Sequence, residues 1–333
     1  MNSVQIVGPS IDDSLSSVRG TGRYVQALTQ VLDTDRLADI VIDPFFNIVG
    51  YPWFGIINVK SKHKIAVIHD VIPLLYPLYF PVGIKGKLWI TINRMLLQSY
   101  DRIVTDSHTS KLDIMRLLGI PSDKISVVYP YSALQTVTPF SDISHLPYDL
   151  KEKQYLLYVG DINWHKNIVN IANAAIATNT RLVCVGMAFT KPVDNHSWLS
   201  PLREFLVIAA QYPDLILKTG FVNDQTLATL YSHALANVLI SHNEGFGYSY
   251  IEAGYCQTPS ILANRPIFHE ISADKGAVFV DPEDSKAIGR QYLAMKDNPS
   301  IRARLGNEAY VQSNTTYSQD NFRRQWRAIL NSI

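Results

Sequence analysis

The chain is poor in cysteine, has no long unbroken apolar run and carries almost no net charge, and each shortage excludes a class of protein. Two cysteines in 333 residues make neither a disulfide framework nor a metal-ligand spacing. Cys184, in an expected strand, and Cys256, in an expected helix, are read as buried free thiols in a reducing compartment. Thirty basic residues against 29 acidic leave a formal charge of +1, which excludes the broad positive field of a nucleic-acid binder. The uncharged run from Val71 to Ile84 is too short to span a bilayer and is interrupted by Pro73, Pro77 and Pro81. The opening residues pass straight into a strand pattern with no basic or long apolar leader, so no secretory leader is expected and the location is read as cytoplasmic.

What is present is an alternation of short apolar runs and helical patterns, with a 47% apolar content that suffices for two packed domains. Strands are expected at Val4 to Gly8, within residues 39–49, at Lys64 to Asp70, at Arg102 to Thr105 and before Tyr129. Helices are expected from Gly20 to about Leu32, from Lys87 to Gln98, and from the capping run Asp106-Ser-His-Thr-Ser110 to Leu118. This is the pattern of a doubly wound α/β domain. Residues 132–154 are rich in Ser, Thr, Pro and charge without periodicity, and are read as a linker. A second series opens at Tyr155 to Gly160, so the expected division is 1–131, 132–154, 155–315 and a closing helix at 316–333.

The stretch around which the rest is organised is Ser241-His-Asn-Glu-Gly-Phe-Gly-Tyr-Ser-Tyr-Ile-Glu-Ala-Gly254. Glu244 and Glu252 bracket a Gly-Phe-Gly turn fed by the apolar run Ala236 to Ile240. Gly245 and Gly247 allow close backbone approach or positive φ, and Tyr248 to Cys256 can continue as a helix. A helix N-terminus offers unpaired N–H groups and partial positive charge, which suits a phosphate. With a hydroxyl-accepting carboxylate on either side, the stretch describes a nucleotide-sugar site; the competing reading is a strand-turn-helix corner with a surface Glu at each end.

Other candidates fit the same chemistry. Gly20 and Gly22 follow a strand and open a helix, a geometry for phosphate approach that a simple tight turn would also explain. His69 and Asp70 close a strand, at the edge where open parallel sheets bind ligands; His69 either positions a sugar or acceptor hydroxyl or is a hydrogen-bonded histidine at a strand end. Asn163 can cap a helix with Lys166 in its first turn, where the cation opposes the macrodipole unless a diphosphate is bound. Asp33-Thr-Asp35 is read as a helix C-terminal loop, and no divalent metal or other cofactor is expected.

These motifs resemble, in order along most of the chain, those of the retaining family-4 glycosyltransferases of the GT-B fold. The resemblance rests on Glu244-Gly-Phe-Gly with Glu252-Ala, on His69-Asp-Val-Ile-Pro, on Gly160-Asp-Ile-Asn-Trp-His-Lys-Asn167 and on Gly220-Phe-Val-Asn-Asp224. It implies two facing doubly wound (Rossmann-like) domains with the closing helix returning to the first. It also implies that Glu244 contacts the donor sugar and Glu252 the ribose. Gly20 and Gly22 would face the donor phosphate, His69 would line the active site, Lys166 with His165 would bind the phosphates, and Val222 would pass the nucleobase. His165 stands where the family has Arg, so one permanent charge is expected to be conditional on pH. Tyr248-Ser249 stands where Leu-Pro is common.

The implied activity is metal-independent transfer of a hexosyl group, with retention, to a hydroxyl of a glycan or polyprenyl-linked glycan. Lys166, the Gly20–Gly22 loop and the amides of Phe246, Gly247 and Tyr248 would stabilise the leaving group. The His-Asp-Val-Ile-Pro and His-Lys-Asn variants resemble bacterial transferases of lipid-linked surface polysaccharide (O-antigen or capsule), with GDP-mannose favoured over a UDP-sugar as donor. The apolar run followed by Lys85, Lys87 and Arg94 suits peripheral contact of residues 71–94 with an anionic membrane. Two alternatives stay open, a nucleotide-sugar epimerase of similar fold and a non-catalytic sugar-nucleotide binder.

Overall fold

A computed structural model of the chain describes residues 4–7, 20–32, 39–190 and 199–333. The Asp33 to Asp35 loop lies outside the described residues. Two compact units emerge, Met1–Ala133 with Tyr317–Ile333, and Leu134–Thr316.

The first unit is a five-stranded parallel sheet in the order β1 to β5: Val4–Ile6, Ile40–Asp43, His63–Val67, Arg102–Thr105 and Ile125–Val127. Its central strands are runs of buried residues, as expected of strands covered on both faces. On one face Ile40, Ile42, Ile65, Val67 and Val104 pack with Tyr24 and Leu28 of α1 (Gly20–Val31) and with Phe322, Trp326 and Ile329 of the C-terminal helix, Gln319–Asn331. On the other, Val41, Ala66 and Ile103 pack with Ile56 of α2 (Gly55–Asn58), with Leu96 of α4 (Gly83–Leu96), which follows the short α3 (Ile72–Leu75), and with Ile114 of α5 (His108–Leu118). The start of α5 is set by Ser107, whose side chain accepts from the Ser110 N–H at 3.0 Å. Its end is set by Gly119 at φ 70°.

The second unit is a six-stranded parallel sheet, ordered β11-β10-β9-β6-β7-β8. The strands are β6 Tyr155–Val159, β7 Arg181–Val185, β8 Ile216–Gly220, β9 Ala236–Leu239, β10 Ser260–Ala263 and β11 Ala277–Val280. The helices are α6 Ile168–Ala177, α7 Ser200–Gln211, α8 Asp224–His233, α9 Tyr248–Tyr255, α10 Pro266–Ser272, α11 Ser285–Asp297 and α12 Pro299–Thr316. The strand order reverses direction between β6 and β9, and in an open parallel sheet that switch point, at the carboxyl ends, is where ligands bind.

Two sequence expectations change. Residues 134–154, read as part of a linker, belong to the second unit: Leu134, Leu146 and Leu150 are buried, and the Phe140 N–H bonds Thr229 Oγ1 at 2.9 Å. Gly20 and Gly22 open α1, as expected. Asn163 precedes only a short 3-10 turn, Trp164–Lys166, while Asn167, in the left-handed region, holds the N-cap position of α6, and neither side chain makes a capping hydrogen bond. Lys166 therefore precedes α6 and is not in its first turn.

Candidate functional site

In the second unit two segments meet at the carboxyl ends of β6 and β9. From β6 the chain runs through the 3-10 turn that presents Lys166; from β9 it runs through Ser241 to Gly247 into α9. The segments are tied together by their backbones, the His242 N–H donating to the His165 carbonyl at 2.7 Å. Asn167 fixes the turn further, its side-chain amide donating to the carbonyls of Ile240 (3.2 Å) and Pro282 (2.7 Å). Trp164 stacks on the His242 ring with centroids 4.5 Å apart.

This frame brings Lys166 Nζ to 2.7 Å from both carboxylate oxygens of Glu244, and Ser241 Oγ donates to Glu244 Oε1 at 2.6 Å. Burial pushes the Glu244 carboxyl up, but the Lys166 charge and the bonds from Lys166 and Ser241 outweigh it and hold the group below its ordinary range. Glu244 is thus an anion balanced by Lys166. His165 departs from expectation: it is buried, and burial first, then the neighbouring Lys166 charge, depress its imidazole to about 3. It is neutral throughout the physiological range and does not restore the charge of the family's Arg, even conditionally.

The turn into α9 has a physical requirement at Gly247. Its φ is +112°, and an added Cβ would lie 2.8 Å from Ile271 Cδ1. Phe246 is buried and its ring meets Tyr248 edge-on at 5.6 Å. Glu252, one turn into α9, is 2% exposed, and Oε2 accepts from Tyr231 OH at 3.2 Å. Val222 is buried in the short segment between β8 and α8, on the same carboxyl edge. The second unit thus gathers His165, Lys166, Val222, Glu244, Phe246, Gly247, Tyr248 and Glu252 at one edge of one sheet.

Gly20, Gly22 and His69 belong to the first unit. His69 lies just beyond β3 and its ring is engaged at both nitrogens, Nδ1 with Asp106 Oδ2 at 2.7 Å and Nε2 with the Pro44 carbonyl at 3.1 Å. The Tyr24 ring of α1 meets it edge-on at 4.9 Å. Sequence reasoning assigned no role to Ser241 or Asp106. Both follow strand ends by one or two residues, the position that singled out His69, but Asp106 was absorbed into a helix-capping run.

Residues 146–312 match the family described as glycosyl transferases group 1, a span that holds every one of these second-unit residues. The chain belongs to that family. Relatives of this group 1 glycosyltransferase include the O-antigen chain mannosyltransferase RfbU of Salmonella typhimurium, 28% identical over 76% of this chain and 70% of the relative. Another is the O-antigen chain mannosyltransferase B of Escherichia coli, 28% identical over 73% of this chain and 64% of the relative. Among solved structures, Anabaena Alr3699/HepE in complex with UDP-glucose superposes over the whole of both chains with a TM-score of 0.76 at 13% identity, a likeness of fold. The fold is GT-B, built from two parallel-sheet α/β units. Among the described residues no helix is long and apolar enough to cross a membrane, and no group of three or more His, Cys, Asp or Glu is placed to hold a metal ion.

Proposed function

We propose that this glycosyltransferase moves a hexosyl group, with retention of anomeric configuration and without a metal, from a nucleoside diphosphate sugar to a hydroxyl of a glycan or polyprenyl-linked glycan. The observation that carries the proposal is the half-buried Lys166–Glu244 pair at the sheet's switch point, beside the amino end of α9. A cation, a carboxylate and the amino end of a helix lie together there, a set that suits a diphosphate bonded to a sugar. On donor binding Lys166 turns from Glu244 to the diphosphate, and Glu244 accepts from a sugar hydroxyl instead. The C1–oxygen bond to the diphosphate breaks as the acceptor oxygen bonds C1 on the same face, and the acceptor proton passes to the leaving phosphate oxygen. Lys166 and the amides of Phe246, Gly247 and Tyr248 stabilise charge on the leaving group. Glu252 exchanges Tyr231 for a ribose hydroxyl, and Val222 lies beside the nucleobase.

GDP-mannose is the favoured donor, because two relatives are O-antigen chain mannosyltransferases and mannose is commonly carried as its GDP ester. The same relatives favour lipopolysaccharide O-antigen synthesis as the setting. The UDP-glucose in the Anabaena structure makes a UDP-sugar the second choice. The enzyme is placed in the cytoplasm, against the inner face of the membrane through residues 71–94.

A second reading, donor binding without turnover, is favoured by one observation: His165 is neutral where the resemblance implies a permanent charge. Incubation with GDP-mannose or UDP-glucose and a polyprenyl-linked oligosaccharide, followed by mass spectrometry, separates the two. A gain of one hexose from one donor supports transfer. Binding of donor with neither transfer nor hydrolysis supports the second reading.

A further inference from the structure

Outside the Lys166–Glu244 site, the most constrained group of titratable side chains lies in the first unit, at the carboxyl ends of β2, β3 and β4. Asp43 closes β2, His69 and Asp70 follow β3, and Asp106 follows β4. The His69 side chain is 21% exposed and that of Asp106 4%. A backbone carbonyl only accepts, so the bond to Pro44 at 3.1 Å requires a proton on Nε2. The remaining proton, in the 2.7 Å contact with Asp106, belongs to the more basic partner, and imidazole is more basic than a carboxylate by about 2.6 pK units. Asp106 Oδ1 is buried without a hydrogen-bond partner among the described residues, so His69 is the group that compensates this carboxylate.

Three carboxylates act on the ring in one direction. Asp106 faces it from the end of β4, Asp70 lies next in the chain, and Asp43 acts from the end of β2. From α1 comes the edge of the Tyr24 ring. Burial pulls the imidazole down, but Asp106, Asp70 and the Pro44 carbonyl outweigh it and hold the group above its ordinary value.

We propose that His69 is held as an imidazolium with both N–H groups committed, and that Asp106 is the positioning residue that fixes this state. In the proposed transfer, on which this role rests, His69 then acts as a fixed cation at the edge of the first sheet, facing an electron-rich oxygen of a hydroxyl or phosphate. It is not the base that takes the acceptor proton, since neither ring nitrogen has a free lone pair.

The test is the protonation state of the His69 ring in the full chain. Two-bond 1H–15N spectra are recorded from pH 5.5 to 8, with His69 assigned by the signal lost in His69→Gln. The wild-type ring is expected to keep its second proton to a higher pH than an ordinary imidazole, and in Asp106→Asn the midpoint is expected to fall. A wild-type midpoint at 6.5 or below, or a midpoint unmoved in Asp106→Asn, overturns the assignment. The wild-type titration decides alone if the variant does not fold. The role is read from kcat/KM: Asp106→Asn is expected to lose activity at pH 8 and to lose little at pH 5.5, following its smaller imidazolium fraction. Wild-type kcat/KM that rises between pH 5.5 and 8 with a midpoint near 6.5 would make His69 a base and overturn the role. The ring titration needs no donor, so absence of transfer in every assay would count against the function and the role while the charge assignment stood or fell on the spectra.

Discussion

Lys166 and Glu244 neutralise each other at 2.7 Å, and the energetics of such a pair depend on which member is removed. Lys166→Met leaves a buried carboxylate with only the Ser241 hydroxyl named as a donor, and is expected to cost about 3 kcal/mol in urea denaturation. Adding Glu244→Gln to that variant should recover much of the loss, because the stranded charge goes with it. A double variant less stable than Lys166→Met would contradict the pairing. His165 gives a prediction of a different sign. In the unfolded chain its imidazole protonates as pH falls through 6.5, whereas in the folded chain it does so only near 3. Between those values the unfolded state binds the extra proton, so stability falls as pH is lowered. At pH 5 this residue accounts for about 2 kcal/mol of loss relative to neutral pH. His165→Asn should flatten the acid limb by that amount, which urea midpoints at pH 7.5 and pH 5 would measure.

At the scale of elements, α9 depends on its first turn. Gly247→Ala forces a side chain into a left-handed backbone 2.8 Å from Ile271 Cδ1. A loss of about 1–3 kcal/mol is expected, with weaker donor binding because the N–H groups of that turn are displaced. Unchanged stability and affinity would show that the turn is not so constrained. This turn was legible in the sequence, since two glycines between an apolar run and a helical pattern leave few other geometries. The buried strands were legible for the same reason: β-branched runs bounded by breakers have one economical reading. What was not legible came from competition between neighbours or from distance along the chain. Asn163 and Asn167 both fit a helix cap, and only the left-handed backbone of Asn167, held by the carbonyls of Ile240 and Pro282, selects the second. Asp106 reads as a capping residue because its partner His69 lies 37 positions away. His165 is buried where His242, in the segment after β9, donates to its carbonyl at 2.7 Å, a long-range contact that no local pattern announces.

At the scale of the whole molecule, the fold persists at 13% identity to its Anabaena counterpart, so activity is carried by the few side chains at the strand ends and not by the scaffold. The first unit adds a surface of its own: Leu78 and Ile84 are each 90% exposed, Leu88 is 53% exposed, and Lys85 and Lys87 interleave with them at the start of α4. Flotation with anionic vesicles should show salt-sensitive binding that is reduced in Leu78→Glu with Ile84→Glu, while thermal stability is nearly unchanged because both side chains are exposed. Vesicle binding indifferent to salt and to these substitutions would remove the membrane from the account. The central claim, that the carboxyl edge of the second sheet is a nucleotide-sugar site, is tested most directly by calorimetric titration of GDP-mannose and UDP-glucose, without metal, into the wild type and Glu252→Ala. The account predicts micromolar binding of one donor to the wild type and binding at least tenfold weaker, about 1.4 kcal/mol, in the variant. Binding of neither donor, or equal binding by both proteins, would contradict it.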